Sequence, residues 1–261
     1  MIRLLENPGK AETEEIKAFL EQDCIGMKAL SPFLSYGTEY TFSESWVQRD
    51  DSGKIISFMS RFYGNLTVYG KDLSEKDREE LEDFIGVIGY NSIVTVNGLI
   101  NIDGETGCLM KLEKGKDCKA EKTEEPVTAI ENSHLKEFYR TLERNNPGYL
   151  TGDEGEWRVD FSHRIRHGTA RTVLLKLGDR YCSTAAALSV SDNAVFLGAV
   201  STDGDMRGRH LAQTCLKILS DIYKEKTVYL MCRKDKRKFY EKAGMVKYGE
   251  YIQSYRRKTD A

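Results

Sequence analysis

Residues 198–212 have the sequence GAVSTDGDMRGRHLA, the most informative stretch of the chain. Its apolar start belongs to a predicted strand at 194–202, its polar middle predicts a tight loop, and its end predicts the first turn of a helix. A helix start presents unpaired backbone N–H groups and the positive end of the helix dipole. Arg207 and Arg209 add positive charge there, and Gly208 lets an anion approach the backbone. The stretch therefore predicts an anion site suited to a pyrophosphate.

The residues on either side of this stretch predict alternating helices and strands. The second half predicts helices at 133–144, 157–165 and 208–223, strands at 171–177, 181–190, 194–202 and 227–232, and a last helix ending at Gly244. The first half predicts helices at 11–22, 27–34 and 74–88, and strands at 41–49, 54–63, 65–69 and 92–97. Ser74 is the expected cap of the helix at 74–88, with Asp77 three residues on.

The two halves share an order of hairpin turn, third strand, long helix and following strand. Corresponding elements are offset by about 126 to 135 residues, which is typical of an old duplication. Residues 113–125 are rich in Lys, Glu, Asp and Gly and poor in apolar side chains, as expected of a linker. The sequence therefore predicts an α/β chain of two similar domains, 1–125 and 126–261.

Composition excludes several classes of protein. The 261 residues are 40% hydrophobic, enough for one or two cores, and 39 basic against 41 acidic residues give no overall basic field for nucleic acid. No signal peptide or membrane-spanning segment is predicted, so the expected location is the cytoplasm. The six cysteines form no C-x-x-C pair and only four histidines accompany them, so we expect reduced thiols and no bound metal.

The loop sequence Arg207-Gly208-Arg209-His210-Leu211-Ala212 resembles the phosphate loop R/Q-x-x-G-x-G/A of the GNAT superfamily of acyl-CoA-dependent N-acetyltransferases. It keeps the Arg and the final Ala, and His210 replaces the middle glycine. The strand at 227–232 and the sequence KFYEKAGM at 238–245 are similar to the family's next strand and helix signature. The resemblance covers about residues 126–257.

This resemblance implies two GNAT-like domains, each with a mixed, mostly antiparallel sheet flanked by helices. In the first domain, Gly70 to Asp77 lacks the phosphate motif and carries acidic residues, so we expect that domain to be degenerate. The second implies transfer of an acetyl group from acetyl-CoA directly to a primary amine. The implied donor-binding residues are Val200, Ser201 and Thr202 beside the thioester, and Arg207, Gly208, Arg209, His210, Leu211 and Ala212 at the pyrophosphate. Tyr240 takes the position of the tyrosine that protonates the departing thiolate.

Other polar groups have two interpretations each. His163 or Asp160 is a candidate for deprotonating the amine, or an ordinary exposed helix residue, and no acidic residue occurs within 194–200 to serve as a base. The basic run at 233–238 is interpreted as a solvated helix face, with a contact to the 3′-phosphate of CoA as the lesser alternative. The Arg207 to Arg209 segment also has the composition of a simple solvated turn.

Two alternative functions remain open. Tandem GNAT-like domains also occur in aminoacyl-tRNA-dependent peptidyl transferases. Those enzymes have a strongly basic surface, and this sequence has no excess of basic residues to form one. A non-catalytic CoA-binding or structural module is favoured by His210, which adds a side chain where a phosphate approaches the backbone. The expected partners are acetyl-CoA and an amine, with no nucleic acid and no membrane, and a homodimer is one option for assembly.

Overall fold

The computed structural model describes residues 1–150 and 152–255; Thr151 and residues 256–261, which end the predicted second domain, lie outside the described residues. The chain divides into two compact units. Unit 1 contains Met1–Leu109, Met231–Asp235 and the described residues from Tyr248 onward, whereas unit 2 contains Met110–Leu230 and Lys236–Lys247. The domain boundary predicted between residues 125 and 126 stays a prediction, and the compact units divide the chain at other positions.

Seven helices and twelve strands are found among the described residues. The first part of the chain forms β1 (Ile2–Leu4), α1 (Lys10–Leu20), α2 (Cys24–Tyr36), β2 (Ser43–Arg49), β3 (Ile55–Phe62), β4 (Asn65–Gly70), α3 (Glu75–Ile88), β5 (Ser92–Val96) and β6 (Glu105–Leu112). The second part forms β7 (Val127–Glu131), α4 (Leu135–Asn145), α5 (Glu154–Arg166), β8 (Arg171–Leu177), β9 (Arg180–Val190), β10 (Ala194–Thr202), α6 (Leu211–Ile222), β11 (Thr227–Arg233), α7 (Arg237–Lys242) and β12 (Val246–Tyr255).

Unit 1 contains the strand order β1-β2-β3-β4-β5-β12. Its neighbours are antiparallel except β4 and β5, which α3 connects as a crossover between parallel strands. α3 begins at the predicted cap, Ser74, and its apolar side is buried on the sheet. The buried core residues on this side are Trp46, Met59, Leu66, Val68, Leu81, Ile85, Ile93 and Ile100.

Unit 2 contains the strand order β11-β10-β9-β8-β7. Only β10 and β11 are parallel, and α6 is the crossover between them. α4 and α5 bury a stack of aromatic rings, in which the centroids of Phe138 and Trp157 are 5.6 Å apart and those of Trp157 and Phe161 are 4.6 Å apart. The same parallel β-α-β crossover is therefore present in both units, and the predicted fold class of mixed, mostly antiparallel sheets flanked by helices is confirmed.

Four strands, β1, β6, β7 and β12, were not predicted. β1 has three residues and β7 is largely exposed, so neither carries a clear apolar alternation. β6 contains Gly107, which lowers its strand propensity. That glycine is needed, because a Cβ there would lie 2.3 Å from the ring of Tyr251 on β12. The choice of glycine at position 107 therefore depends on packing against β12, which is far along the chain.

The six cysteines are free and buried, as expected for reduced thiols. Burial raises the pKa of the Cys215 thiol to about 12. Among the described residues, no helix combines the length and the apolar character that crossing a membrane requires.

Candidate functional site

The candidate site lies in unit 2, where β10 ends and α6 begins. β10 pairs with β11 only from Ala194 to Leu197. Between Gly198 and Ser201 its register against β9 shifts, and Ala199 has a positive φ of 52°. A bulge of this kind bends a strand and interrupts its regular pairing. The backbone from Gly198 to Thr202 therefore continues beyond the part of β10 that is paired with β11.

Tyr149, a residue that belongs to none of the sequence motifs above, lies at this bulge. Its hydroxyl accepts a hydrogen bond from the backbone N–H of Ala199 at 3.3 Å. A Cβ at position 198 would lie 2.5 Å from Cδ1 of Leu188, so a larger residue there would require the Leu188 side chain to move. A phenol thus borders the strand segment where the resemblance expects a thioester.

The end of β10 is held by hydrogen bonds from β9. The hydroxyl of Ser183 donates to the backbone carbonyl of Ser201 at 2.7 Å and lies 2.8 Å from Oγ1 of Thr202. Ser201 is buried, and its own Oγ has no hydrogen-bond partner within the described part of the chain. An unpaired buried hydroxyl costs free energy, so this oxygen is a group that a ligand or a water can satisfy.

The loop after β10 brings the predicted residues 207–212 together at one end of α6. One 3-10 turn, Gly204–Met206, follows the strand, and α6 begins at Leu211, not at residue 208. Gly208 and His210 have positive φ angles of 84° and 58°. A left-handed backbone costs a non-glycine residue roughly 1–2 kcal/mol, which gives a physical reason for the glycine that the similar motif has in place of His210. His210 provides no side-chain cap, so the first turn of α6 leaves its N–H groups for another acceptor.

The three basic side chains of the loop differ in their partners. Arg209 Nη1 lies 2.9 Å from Oε1 of Glu125, and His210 Nε2 lies 3.3 Å from Oε2 of Glu121. Nδ1 of His210 is also 2.6 Å from the side-chain oxygen of Gln213. Arg207 is exposed and forms no ion pair with any residue that the structure describes. Arg207 is therefore the loop cation that is available to an anion.

Asp203 connects this loop to the rest of unit 2. Its side chain is 2% exposed. Oδ1 accepts hydrogen bonds from Arg144 and from Asn145 on α4, each at 2.7 Å. Oδ2 accepts from Nε and Nη2 of Arg180 at 3.0 and 2.7 Å, and the same guanidinium binds Asp205 in the 3-10 turn through two bonds of 2.7 and 2.8 Å. A buried carboxylate thus fixes the start of the loop.

The protonation state of Asp203 follows from these contacts. Burial would raise its pKa, but hydrogen bonds from Asn145, Arg144 and Arg180 to the ionised form outweigh burial, so the pKa lies below its ordinary value. Asp203 therefore carries a negative charge at neutral pH, and the loop is anchored by an ionised group.

Comparison with known proteins rests on structure alone. No protein-family model and no curated protein sequence matches the chain. A GCN5-related N-acetyltransferase from Sphaerobacter thermophilus is similar over 97% of this chain and 94% of its own, at 15% identity and a TM-score of 0.60. A tandem GNAT protein from the clavulanic acid biosynthesis pathway is similar over 97% of both chains, at 8% identity and a TM-score of 0.60. The chain has the GNAT fold. A GCN5-related N-acetyltransferase-like protein from Streptococcus suis agrees, at 17% identity and a TM-score of 0.56, over 95% of this chain and 100% of its own.

Tyr240 is carried by α7, the short helix that follows β11. The residue is 8% exposed, and its ring meets that of Phe239 edge-on at 5.0 Å. It lies on the helix that follows β11, the strand next to β10. Its role in protonation stays a prediction.

The other candidate groups are engaged in local contacts. The carboxylate of Asp160 accepts a hydrogen bond from Nε of Arg164 at 2.8 Å, and the rings of His163 and His167 are 4.1 Å apart. Several cations of the basic run form surface ion pairs: Arg233 with Asp235, Lys234 with Glu250, and Arg237 with Glu241. Residues 233–238 are exposed, but they span the end of β11, a 3-10 turn and the start of α7 and so do not form the predicted helix face.

Unit 1 has the corresponding crossover but not the same helix start. The Ser74 side chain accepts from the backbone N–H of Asp77 at 3.2 Å, and Oδ2 of Asp77 accepts from the backbone N–H of Ser74 at 3.4 Å. This capping box places a carboxylate at the N-terminus of α3. An external phosphate would meet that negative charge. The degenerate character expected of the first half stays a prediction.

Proposed function

We propose that unit 2 binds acetyl-CoA and transfers its acetyl group directly to a primary amine. One observation carries the proposal: a bulged strand leaves its parallel neighbour and is joined by the loop 203–210 to the start of α6, which has no side-chain cap and has Arg207 beside it. Such a helix start is suited to a phosphate group. The GNAT fold of the chain supports the same assignment.

In this proposal the donor lies along β10 and its phosphates lie at α6. Backbone groups of Val200, Ser201 and Thr202 hold the pantetheine arm, as an added strand would be held. The N–H groups at the start of α6, the permissive backbone of Gly208 and the charge of Arg207 hold the pyrophosphate. Fixing the thioester in this way orients it for attack by a second bound substrate.

The chemistry requires one bond to form and one to break. The amine nitrogen attacks the thioester carbonyl carbon, the C–N bond forms, and the C–S bond breaks to leave a thiolate. Tyr240 donates its phenolic proton to that sulfur, and the phenol is restored from solvent. In this proposal the proton lost by the amine goes to water, because no carboxylate occurs on residues 194–200.

The test of binding is calorimetric titration with acetyl-CoA. We expect the double variant Arg207→Ala/Arg209→Ala to bind at least tenfold more weakly than the unaltered protein, because two cations beside the phosphates are lost. Arg158→Ala is the matched control, since Arg158 is a half-exposed arginine on α5 that pairs, within the described part of the chain, with Glu154. No binding by the unaltered protein would refute the proposal.

The test of transfer is release of free thiol from acetyl-CoA in the presence of a panel of amines. Tyr240→Phe is expected to lower kcat by roughly 10²-fold, the usual size of a general-acid effect, while the Kd for acetyl-CoA stays the same. Thiol release that depends on the amine separates an acetyltransferase from a CoA-binding module. Binding without release would instead favour the non-catalytic module, to which the side chain of His210 points.

A further inference from the structure

An acidic segment of the chain lies against the start of α6. The carboxylate of Glu125 lies 2.9 Å from Arg209, and that of Glu121 lies 3.3 Å from His210. Both glutamates belong to residues 113–125, the predicted linker. Two carboxylates are therefore held beside the residues to which the proposed function assigns the pyrophosphate.

The segment is tied to α6 by its backbone as well. The N–H of Thr123 donates to Oγ1 of Thr214 at 3.2 Å, and that hydroxyl donates to the backbone carbonyl of His210 at 3.0 Å. The N–H of Glu125 donates to Oγ1 of Thr123 at 3.2 Å. These bonds fix the backbone that carries the glutamate side chains against α6. Glu124 of the same segment is exposed and forms no ion pair among the described residues.

The local charge follows from these contacts. Arg207 and Arg209 contribute two positive charges and Glu121 and Glu125 two negative ones, so the loop is close to neutral before any charge on His210 is counted. Attraction to a phosphate near such a site is weakened, because the carboxylates repel it and occupy donors that it would use.

We propose that Glu121 and Glu125 are specificity-determining residues of the donor site. They lower the affinity for donors that carry a nucleotide diphosphate, and so reduce the advantage of a CoA thioester over a thioester of pantetheine alone. The inference rests on the proposed function and adds to it the groups that set which class of donor the site prefers. Both side chains act on the donor directly, through charge and through competition for Arg209 and His210.

The experiment measures Kd by calorimetry for CoA and for pantetheine, which lacks phosphate. The variants are Glu121→Gln, Glu125→Gln and the two combined, with Glu124→Gln as a control that removes the same charge from the same segment without a contact to α6. For CoA we expect each single variant to lower Kd by about twofold to threefold and the double variant by about fivefold to tenfold. For pantetheine we expect no change in any variant. The gain for CoA should shrink as salt is raised, because salt screens the repulsion.

Three results would overturn the inference. One is an equal Kd for CoA in the double variant and the unaltered protein, and another is an equal gain for pantetheine and CoA. The third is a gain from Glu124→Gln as large as that from Glu125→Gln, which would make the effect one of net charge only. If neither the unaltered protein nor the double variant binds CoA while circular dichroism shows both folded, the proposed function fails and the inference fails with it.

Discussion

Replacing Asp203 by Asn removes one buried charge and keeps the volume of the side chain. The carboxylate accepts hydrogen bonds from Arg144, Asn145 and Arg180. In the variant an NH2 group replaces one of its oxygens, and this donor would face N–H donors of the same side chains. Removing one member of a buried ion pair costs roughly 3–5 kcal/mol when its partner stays buried. The side chains of Arg144 and Arg180 are 52% and 46% exposed and can regain water, so we expect a smaller loss of about 2–3 kcal/mol.

The assay is thermal unfolding followed by circular dichroism, together with calorimetric titration of acetyl-CoA. For a unit of this size the loss corresponds to a fall in Tm of roughly 6–12 °C. Because the folded-state pKa of Asp203 lies below its ordinary value, its contribution to stability is complete above the unfolded pKa of about 3.9. That contribution disappears as pH falls through the folded pKa. The difference in stability between the unaltered protein and Asp203→Asn should therefore be full at pH 7 and shrink below about pH 4.

Asp179→Asn is the matched control, since Asp179 is fully exposed and pairs only with Lys176 in the described structure. We expect it to change the free energy of unfolding by less than about 0.5 kcal/mol. If Asp203→Asn is no more destabilising than this control, the carboxylate does not anchor the loop. A normal Kd for acetyl-CoA in a destabilised Asp203→Asn protein would show that the anchor stabilises unit 2 without shaping the phosphate loop.

Three further predictions concern other parts of unit 2. Arg207→Ala should raise the Kd for acetyl-CoA about tenfold and Arg209→Ala less than about threefold, because Glu125 already holds Arg209; the reverse order in calorimetry would contradict this. Phe138→Ala should lower the free energy of unfolding in urea by about 3–5 kcal/mol, because the ring is completely buried; a loss below about 1 kcal/mol would show that the site collapses. Cys215 should react with a maleimide at pH 8 only after denaturation, since its thiol is buried with a pKa of about 12, and labelling of the native protein would contradict that.

Much of the fold could be predicted because its signals are local. The apolar strand, polar loop and helix around residues 194–222 follow from hydropathy alone, and the Ser74 and Asp77 cap follows from two residues three positions apart. The aromatic spacing of Trp157 and Phe161 likewise predicts α5, on which those rings are buried. Where neighbours along the chain decide the structure, the sequence is sufficient.

The missing parts of the candidate site depend on residues that are distant along the chain. Tyr149 is 50 residues from Ala199, whose N–H donates to its hydroxyl, and Glu125 is 84 residues from Arg209. Asp203 was visible in the sequence as a polar residue directly after a strand, but its partner Arg144 is 59 residues away. No periodicity or spacing reports such contacts, because they arise only when strands and helices pack.

The pairing of β5 with β12 sets an order for folding during synthesis. Ser92 pairs with Tyr255, and the Tyr248 hydroxyl donates to Asp23 and accepts from the N–H of Cys24, so the ladder and the polar contacts of unit 1 include residues translated after all of unit 2. A domain made first on the ribosome commonly folds first. Here we expect the nascent N-terminal part to keep an open sheet edge until β12 leaves the ribosome, by which time all residues of unit 2 have been made. Pairing across so many residues is slow, and the exposed edge of β5 during that interval is a place where newly made chains can associate with one another.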